Sequence, residues 1–167
     1  TSSIALPLAL SIGMERFKDF LAGAHAMDMH FVAAPLQQNL PVMLALIGVW
    51  NATFLGARSH AVLPYGYRLR YLPRFLQQLE MESNGKIASH DGQVVSVKTA
   101  PVLFGGSGNA GQHSFFQLLH QGSNYIPCDF ILSTLDEHYH YISVIFDQAE
   151  NRMHAQNAII LKLMKIK

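Results

Sequence analysis

A glycine-rich segment, residues 104–113 (FGGSGNAGQH), is the part of this chain best suited to bind a ligand. It follows a short apolar run and precedes a stretch with helical spacing, so it is predicted to turn from a strand into a helix. Glycines let a backbone come close to a ligand, and unpaired N–H groups at a helix start favour a phosphate or carboxylate. The segment therefore predicts an anion-binding turn. A tight connection without a ligand explains the spacing equally well.

Gly106, Gly108 and Gly111 also match the fingerprint of dinucleotide-binding proteins. Asp129 follows about twenty residues later, where an acid that binds a ribose is expected. However, Asp129 falls inside an apolar run rather than at its exit, and the fingerprint is a weak signal on its own. A dinucleotide-binding domain is therefore the less favoured interpretation.

Histidines are further candidates for acid–base chemistry, because imidazole changes its charge near neutral pH. His138 and His140 lie together in residues 135–141 (LDEHYHY), where they are either catalytic or solvent-facing at a helix start. His25 and His113 lie among apolar positions with helical spacing. That setting favours hydrogen-bonded structural histidines, and neither is assigned a catalytic role.

Three short apolar runs, residues 60–63, 100–104 and 126–132, are typical of strands covered on both faces. Helical spacing intervenes between the first two, over residues 68–82. This alternation predicts an α/β fold of three layers, in which helices pack on both faces of a mostly parallel sheet. Ligands of such sheets bind at the carboxyl ends of the strands, where the glycine-rich segment lies.

Two features lie at the end of the predicted helix and just beyond it. Glu80 and Glu82 stand at its solvated end, and they are weak acid–base candidates because side chains two residues apart do not face each other on a helix. Asp91 and Gly92 then mark a tight turn between two short polar strands.

The composition restricts the class of protein. Among 167 residues, 50% are hydrophobic and 14% are charged, which is typical of a well-buried soluble domain. The net charge is +1 and the basic residues are scattered, so a nucleic-acid partner is not expected. Residues 40–50 are apolar, but a membrane span needs about twenty residues. They predict a buried helix, and no membrane partner is expected.

Cys128 is the single cysteine of the chain and cannot form an internal disulfide. It lies in an apolar run, as a buried thiol in a reducing compartment does. The first residues are apolar but have neither a positive leader nor a cleavage site, so they do not resemble a signal peptide. The expected location is the cytoplasm.

A series of long segments is distinctive of one enzyme family. The segments are residues 3–13 (SIALPLALSIG), 20–28 (FLAGAHAMD), 39–50 (NLPVMLALIGVW), 61–65 (AVLPY), 77–86 (QQLEMESNGK), 111–122 (GQHSFFQLLHQG) and 126–130 (IPCDF). In this order they resemble the glucose-6-phosphate isomerases, and the resemblance runs from about residue 3 to about residue 134.

The resemblance implies a fold, a reaction and partners. Residues 1–154 are implied to be part of the family's second sugar-isomerase (SIS) domain, and residues 155–167 form an unassigned tail. The implied enzyme opens the ring of glucose 6-phosphate and moves a proton between C2 and C1 through an enediol, giving fructose 6-phosphate in glycolysis and gluconeogenesis. It needs no metal or organic cofactor. Its ligand is the sugar phosphate, and the full-length enzyme is expected to be a homodimer.

The resemblance also implies site residues. Aligning the family's WGEPGTNGQH onto residues 104–113 places Gly106 at the position of the general-base glutamate, and glycine cannot transfer a proton. His138 matches the family histidine that assists ring opening, and His140 is the competing match. Substrate binding is implied for five residues of the turn: Gly105, Gly106, Ser107, Gly108 and Gln112.

Parts of the family's active site have no counterpart in this sequence. These parts are a "GGRYS" element with an arginine, the first sugar-isomerase domain that grips the substrate phosphate, and a late signature with a lysine. The chain is therefore expected to be a fragment that is inactive alone. The alternative is a non-catalytic module that binds a sugar phosphate or forms a dimer.

Overall fold

A computed structural model describes residues 3–132 and divides the chain after Val49 into two units. The unit that ends at Val49 is helical, whereas the unit that begins at Trp50 contains the sheet. The predicted domain of residues 1–154 and tail of residues 155–167 both end outside the described residues. Those boundaries stay predictions.

The first unit contains three helices, α1 (Leu6–Ile12), α2 (Met14–Ala33) and α3 (Leu40–Val49), with 3-10 turns at Ser3–Ala5 and Leu36–Gln38. Gly13 separates α1 from α2 at a φ of 84°, a backbone conformation that favours glycine. None of the described helices is long and apolar enough to cross a membrane.

The start of α3 is fixed by two polar side chains. The buried Asn39 is its N-cap, because Oδ1 accepts from the Val42 N–H (3.3 Å) while Nδ2 donates to the Phe31 carbonyl (2.7 Å). His30 Nε2 accepts from the Leu40 N–H at 3.1 Å. These bonds satisfy backbone groups that a helix start leaves unpaired.

The predicted burial of this apolar helix is wrong, although the helix itself forms. None of the residues of α3 is buried, and Leu46 remains 53% exposed. A helix that is apolar on all sides needs neighbours all around it, and the three helices of this unit are too few to enclose it.

The second unit is built on a parallel sheet of three strands, β1 (Ser59–Pro64), β2 (Val102–Gly105) and β3 (Cys128–Ile131). The strand order is β2-β1-β3, and β1 pairs in parallel with both neighbours. The three predicted strands and their parallel pairing are confirmed. Ala61, Val62 and Leu63 are at most 1% exposed, because β1 is the central strand.

The connection from β1 to β2 and the connection from β2 to β3 both contain helices, and the two connections pack on opposite faces of the sheet. From β1 the chain passes through α4 (Leu72–Gln77) to β2, and from β2 through α5 (Gly108–Gly111) and α6 (Phe116–Gln121) to β3. On one face Val62, Leu103 and Ile131 form a core against the side chains of the first connection: Leu69, Leu72, Leu76 and Met81.

The opposite face carries Phe104, whose neighbour across the sheet is Ala61. Its ring meets Phe115, from the turn before α6, edge-on at 5.3 Å between centroids. Successive side chains of a strand point to opposite faces, so α4 and the Phe115 turn lie on different sides of the sheet. The arrangement is an α/β fold, incomplete in the described residues, with helical connections on both sides of a parallel sheet.

The long helix predicted over residues 68–82 is divided. Tyr67–Leu69 is a 3-10 turn, α4 follows with Pro73 in its first turn, and Gln78–Glu82 is π-helical. Proline is tolerated at the start of a helix, where its missing N–H leaves no bond unmade. This explains why α4 begins near Pro73 and not at residue 68.

The predicted turn at Asp91 and Gly92 is confirmed, but its flanking segments form only one antiparallel bridge, between Ala88 and Val94. Gly92 has a φ of 75°, and its N–H donates to the Ser89 carbonyl at 3.0 Å. The side chains of this hairpin are largely exposed, so little packing holds longer strands together.

Candidate functional site

The carboxyl ends of the three strands lie side by side, because the sheet is parallel. β1 is followed by Tyr65, and β2 is followed by the glycine-rich turn, which we define as residues 105–108. Ligands of parallel sheets usually bind beyond the carboxyl ends of the strands, in the crevice between two neighbouring strands whose connections run in opposite directions. In the order β2-β1-β3 that crevice lies between β1 and β3, at Tyr65.

Gly105 ends β2 where no other residue fits. A Cβ at this position would overlap the carbonyl oxygen of Val62 on β1. Glycine therefore lets the two backbones meet closely just before the chain leaves the sheet.

The next two residues of the glycine-rich turn are half-buried and less confined. A Cβ at Gly106 would meet no atom within 4 Å, so a larger side chain has room there. Ser107 is the residue before α5, but its hydroxyl forms no capping bond with that helix. The turn therefore leaves a space beside its backbone at the edge of the sheet.

Gly108 begins α5 and is buried against an aromatic ring. A Cβ there would overlap the ring carbons of Tyr65. The Gly111 N–H donates to the Ser107 carbonyl at 2.9 Å and closes the single turn of this helix. Gln112 follows at the C-cap, one helical turn after Gly108, and is half-buried. The five residues predicted to bind substrate therefore belong to one continuous structure.

The helix expected to follow the glycine-rich turn is interrupted. Phe115 leaves the helical conformation at φ −141° and ψ −1°, and α6 begins only at Phe116. The end predicted near Gly122 is confirmed, since α6 ends at Gln121. Because α5 has four residues, it lacks the dipole of a long helix, and the predicted attraction of an anion to a helix start is correspondingly weak.

The predicted histidines fall into two groups. His138 and its competitor His140 lie outside the described residues, so their roles stay predictions. His25 and His113 are exposed, which corrects the expectation that both pack among apolar side chains. For His113 the reason is the interruption of the helix, since it lies in the turn between α5 and α6.

A comparison with protein-family models matches residues 1–163 to the model described as phosphoglucose isomerase. The chain belongs to the phosphoglucose isomerase family. Among curated relatives, it is 55% identical over 136 residues to glucose-6-phosphate isomerase 1 of Chromohalobacter salexigens, covering 81% of this chain and 25% of the relative. It is 57% identical over 131 residues to glucose-6-phosphate isomerase of Pseudomonas fluorescens, covering 78% of this chain and 24% of the relative. The chain thus spans about a quarter of the length of these relatives.

Two solved structures are similar to this chain, and it covers less than a third of each. A glucose-6-phosphate isomerase from Chlamydia trachomatis is 46% identical with a TM-score of 0.67, over 70% of this chain and 23% of that one. A hypothetical protein from Thermus thermophilus is 26% identical with a TM-score of 0.54, over 75% of this chain and 30% of that one.

The position of Asp129 argues against the less favoured interpretation, a dinucleotide-binding domain in which Asp129 binds a ribose. Asp129 lies within β3, opposite Val62, and not at the strand's exit. Its Oδ2 atom is 2.9 Å from Nε2 of His60 on β1. The carboxylate is therefore engaged inside the sheet.

Carboxylates are absent from the glycine-rich turn of this chain. Within the second unit up to residue 132, Asp129 faces His60 and Asp91 lies in the exposed hairpin turn beside His90. The remaining two are Glu80, which is half-buried, and Glu82, which is exposed; both lie in the π-helical turn Gln78–Glu82. Residues 3–132 contain no group of three or more acids, histidines or cysteines placed to hold a metal ion.

Tyr65 is the residue at this edge that the sequence reasoning missed. The signal was present, because Tyr65 directly follows the buried run of β1 and so had to lie at a strand's carboxyl end. Tyrosine offers both a packing surface and a hydroxyl there.

Proposed function

We propose that this chain forms part of the active site of a glucose-6-phosphate isomerase, which interconverts glucose 6-phosphate and fructose 6-phosphate by proton transfer through an enediol. The observation that carries the proposal is the glycine-rich turn at the carboxyl edge of the sheet, in a chain of this family. The reaction belongs to glycolysis and gluconeogenesis, in the cytoplasm, and the complete enzyme acts as a homodimer.

In this proposal the turn binds the sugar phosphate. The backbone at Gly106 approaches the substrate, since a Cβ there would meet no atom within 4 Å, and Gly105 holds the start of the turn against β1. Ser107 adds a hydroxyl and Gln112 adds an amide from one helical turn further on. His138 assists ring opening. No metal or organic cofactor takes part.

The general base is the central question for this chain. Alignment with the family motif assigns the position to Gly106, and the open space around Gly106 leaves room for a glutamate. In the described part of the second unit, the carboxylates that face no histidine are Glu80 and Glu82. Both lie in a π-helical turn, a geometry that is frequent at functional sites. Glu82 is the better placed to reach a ligand because it is exposed.

The alternative function is a non-catalytic module that binds a sugar phosphate or forms a dimer. It is favoured by the glycine at residue 106, the position that alignment with the family motif gives to the general base. The two functions differ in whether this segment can support turnover when the remaining three quarters are supplied.

A chimera separates them. Residues 1–132 replace the matching segment of the Chromohalobacter salexigens relative, and fructose 6-phosphate formation is followed by a coupled assay. General acid–base catalysis contributes a factor of about 10²–10⁴, so a missing base is readily detected. If Gly106 stands at the base position, the chimera is inactive and Gly106→Glu restores turnover. If Glu82 is the base, the chimera is active and Glu82→Gln abolishes turnover.

The outcome that contradicts the enzymatic proposal is equally clear. A folded chimera that binds fructose 6-phosphate but stays inactive with and without Gly106→Glu identifies the segment as a non-catalytic module. The isolated chain is assayed beside it, and no turnover above background is expected, with or without Gly106→Glu, because positioning groups outside this quarter are missing.

A further inference from the structure

Tyr65 stands where the three strand ends meet. It is the first residue after the central strand β1, and its N–H donates to the carbonyl of Ile131 on β3 at 2.9 Å. Its backbone is thereby fixed to the neighbouring strand on one side. The side chain then has a defined starting point at the carboxyl edge of the sheet.

The ring of Tyr65 reaches both neighbours of β1. Towards β3 it faces Phe130, with 6.4 Å between ring centroids and 32° between ring planes. Towards β2 it lies against Gly108, where a Cβ would overlap its Cζ, Cε1 and Cε2 atoms. The ring is therefore wedged between strand β3 and the end of the glycine-rich turn.

This contact requires both partners. A residue larger than glycine at position 108 would push the ring away, and a smaller side chain at position 65 would leave the start of α5 without support. Gly105 fixes the turn at its other end, against Val62. Gly106 and Ser107 lie between these two contacts, the one of Gly105 with Val62 and the one of Gly108 with Tyr65. The positions of Gly105 and Gly108 therefore determine the conformation of the two residues between them.

We propose that Tyr65 is a positioning residue for the sugar phosphate, because its ring holds Gly108 and thereby sets the shape of the ligand-binding turn. The ligand class rests on the function proposed above. The contact between Tyr65 and Gly108 does not depend on that function, and it can be tested separately.

The hydroxyl of Tyr65 is compatible with an anionic ligand. Cζ, the carbon that carries the hydroxyl, is among the atoms nearest to Gly108, so the hydroxyl lies beside the turn. Burial raises the pKa of Tyr65 above its ordinary value of about 10. The group therefore stays neutral at physiological pH and places no negative charge beside the turn.

The test uses the complete chain, labelled with ¹⁵N, as wild type and as Tyr65→Leu, Tyr65→Phe and Gly108→Ala. The first readout is hydrogen exchange of the Gly111 amide, which closes α5 by bonding to the Ser107 carbonyl. The Val102 amide, bonded to the Arg58 carbonyl at the start of β2, is the internal control. The second readout is the shift of the Gly105–Ser107 amides on titration with glucose 6-phosphate.

Tyr65→Leu and Gly108→Ala are expected to speed Gly111 exchange at least tenfold, to leave Val102 unchanged, and to weaken glucose 6-phosphate binding at least tenfold. Tyr65→Phe keeps the ring and should match wild type in both readouts. This match would show that the effects of Tyr65→Leu come from loss of the ring and not from a general loss of stability. Because the two variants break one contact, the double variant Tyr65→Leu/Gly108→Ala should be no worse than either alone.

Unchanged Gly111 exchange in Tyr65→Leu overturns the proposal. If Tyr65→Leu does not fold, unchanged exchange in Gly108→Ala overturns it instead. If the variants show the exchange effect but the wild-type chain gives no response to glucose 6-phosphate, sugar-phosphate binding by this turn is contradicted. That result leaves the hold of Tyr65 on Gly108 established, so the two failures are distinct.

Discussion

His60 on the central strand and Asp129 on the edge strand β3 form a cross-strand pair, with 2.9 Å between Nε2 and Oδ2. The two side chains are 26% and 22% exposed, so water screens them only partly. The distance is that of an ion pair, yet Nε2 lacks the alignment of a hydrogen bond. The pair therefore acts mainly through charge, when His60 is protonated, and fastens β3 to β1.

Replacing Asp129 by Asn is expected to lower the free energy of unfolding by about 1–2 kcal/mol, because a half-buried charge pair loses one partner. Urea denaturation at pH 6 measures the change. Asp91→Asn is the matched control, since Asp91 and its neighbour His90 are fully exposed and 4.0 Å apart. An Asp129→Asn variant as stable as the control would show that the pair contributes nothing.

Gly105→Ala is expected to destabilise the chain by about 1–3 kcal/mol, because the added methyl group meets the backbone of Val62 and the strands must move apart. Gly106→Ala adds the same methyl group one residue later, in open space, and should change stability by less than about 0.5 kcal/mol. Urea denaturation of both variants tests the difference. Equal effects would contradict the close approach of β2 to β1.

The sequence predicted the parts of the fold that depend on local patterns, and it did not predict the parts that depend on contacts between residues far apart in the chain. The apolar runs of β1, β2 and β3 were sufficient, since strands buried on both faces leave a local signal. The interruption of the helix at Phe115 left no such signal. It depends on the packing of Phe115 against Phe104, which belongs to a different element.

The candidate site shows the same limit. The glycine-rich turn was found from its composition, but Tyr65 lies 43 positions before Gly108, and only the parallel pairing of β1 with β2 brings them together. The side chain that faces Asp129 was hidden for the same reason. His60 occupies the start of an apolar run, and nothing near it in the sequence announces an acid.

Cys128 is expected to react slowly with alkylating reagents in the folded chain. Burial, and then the neighbouring Asp129 carboxylate, raise the pKa of its thiol to about 12. At pH 8 its thiolate fraction is then about 10⁻⁴, against roughly 0.2 for an ordinary cysteine, and the thiolate is the reactive form. Labelling with iodoacetamide should be at least about a hundredfold slower in the folded chain than in urea. Equal rates would contradict the burial of the thiol.

The same thiol makes stability depend on pH. Its pKa is raised on folding, so its contribution is complete below about 8.5, the value of an unfolded cysteine, and is lost as the pH rises towards 12. The wild type should therefore lose more stability than Cys128→Ala between pH 8 and pH 10. Urea denaturation at both pH values measures this, and parallel losses in the two proteins would show that Cys128 is not the cause.

The last prediction concerns the exposed apolar side chains of the first unit. Leu10 on α1 and Val32 on α2 are 77% and 79% exposed, and they are two of many large apolar side chains exposed on this unit. A large exposed apolar surface marks a site of contact with other protein. The isolated chain is therefore expected to self-associate, and sedimentation velocity over a range of concentrations measures it. Leu10→Gln with Val32→Gln should weaken the association about tenfold, the effect of roughly 1.4 kcal/mol, without lowering the free energy of unfolding. Lys18→Gln, an exposed polar change on α2, is the control and should leave the association as it is. A wild-type chain that sediments as a monomer at every concentration would contradict the idea that these side chains are normally covered.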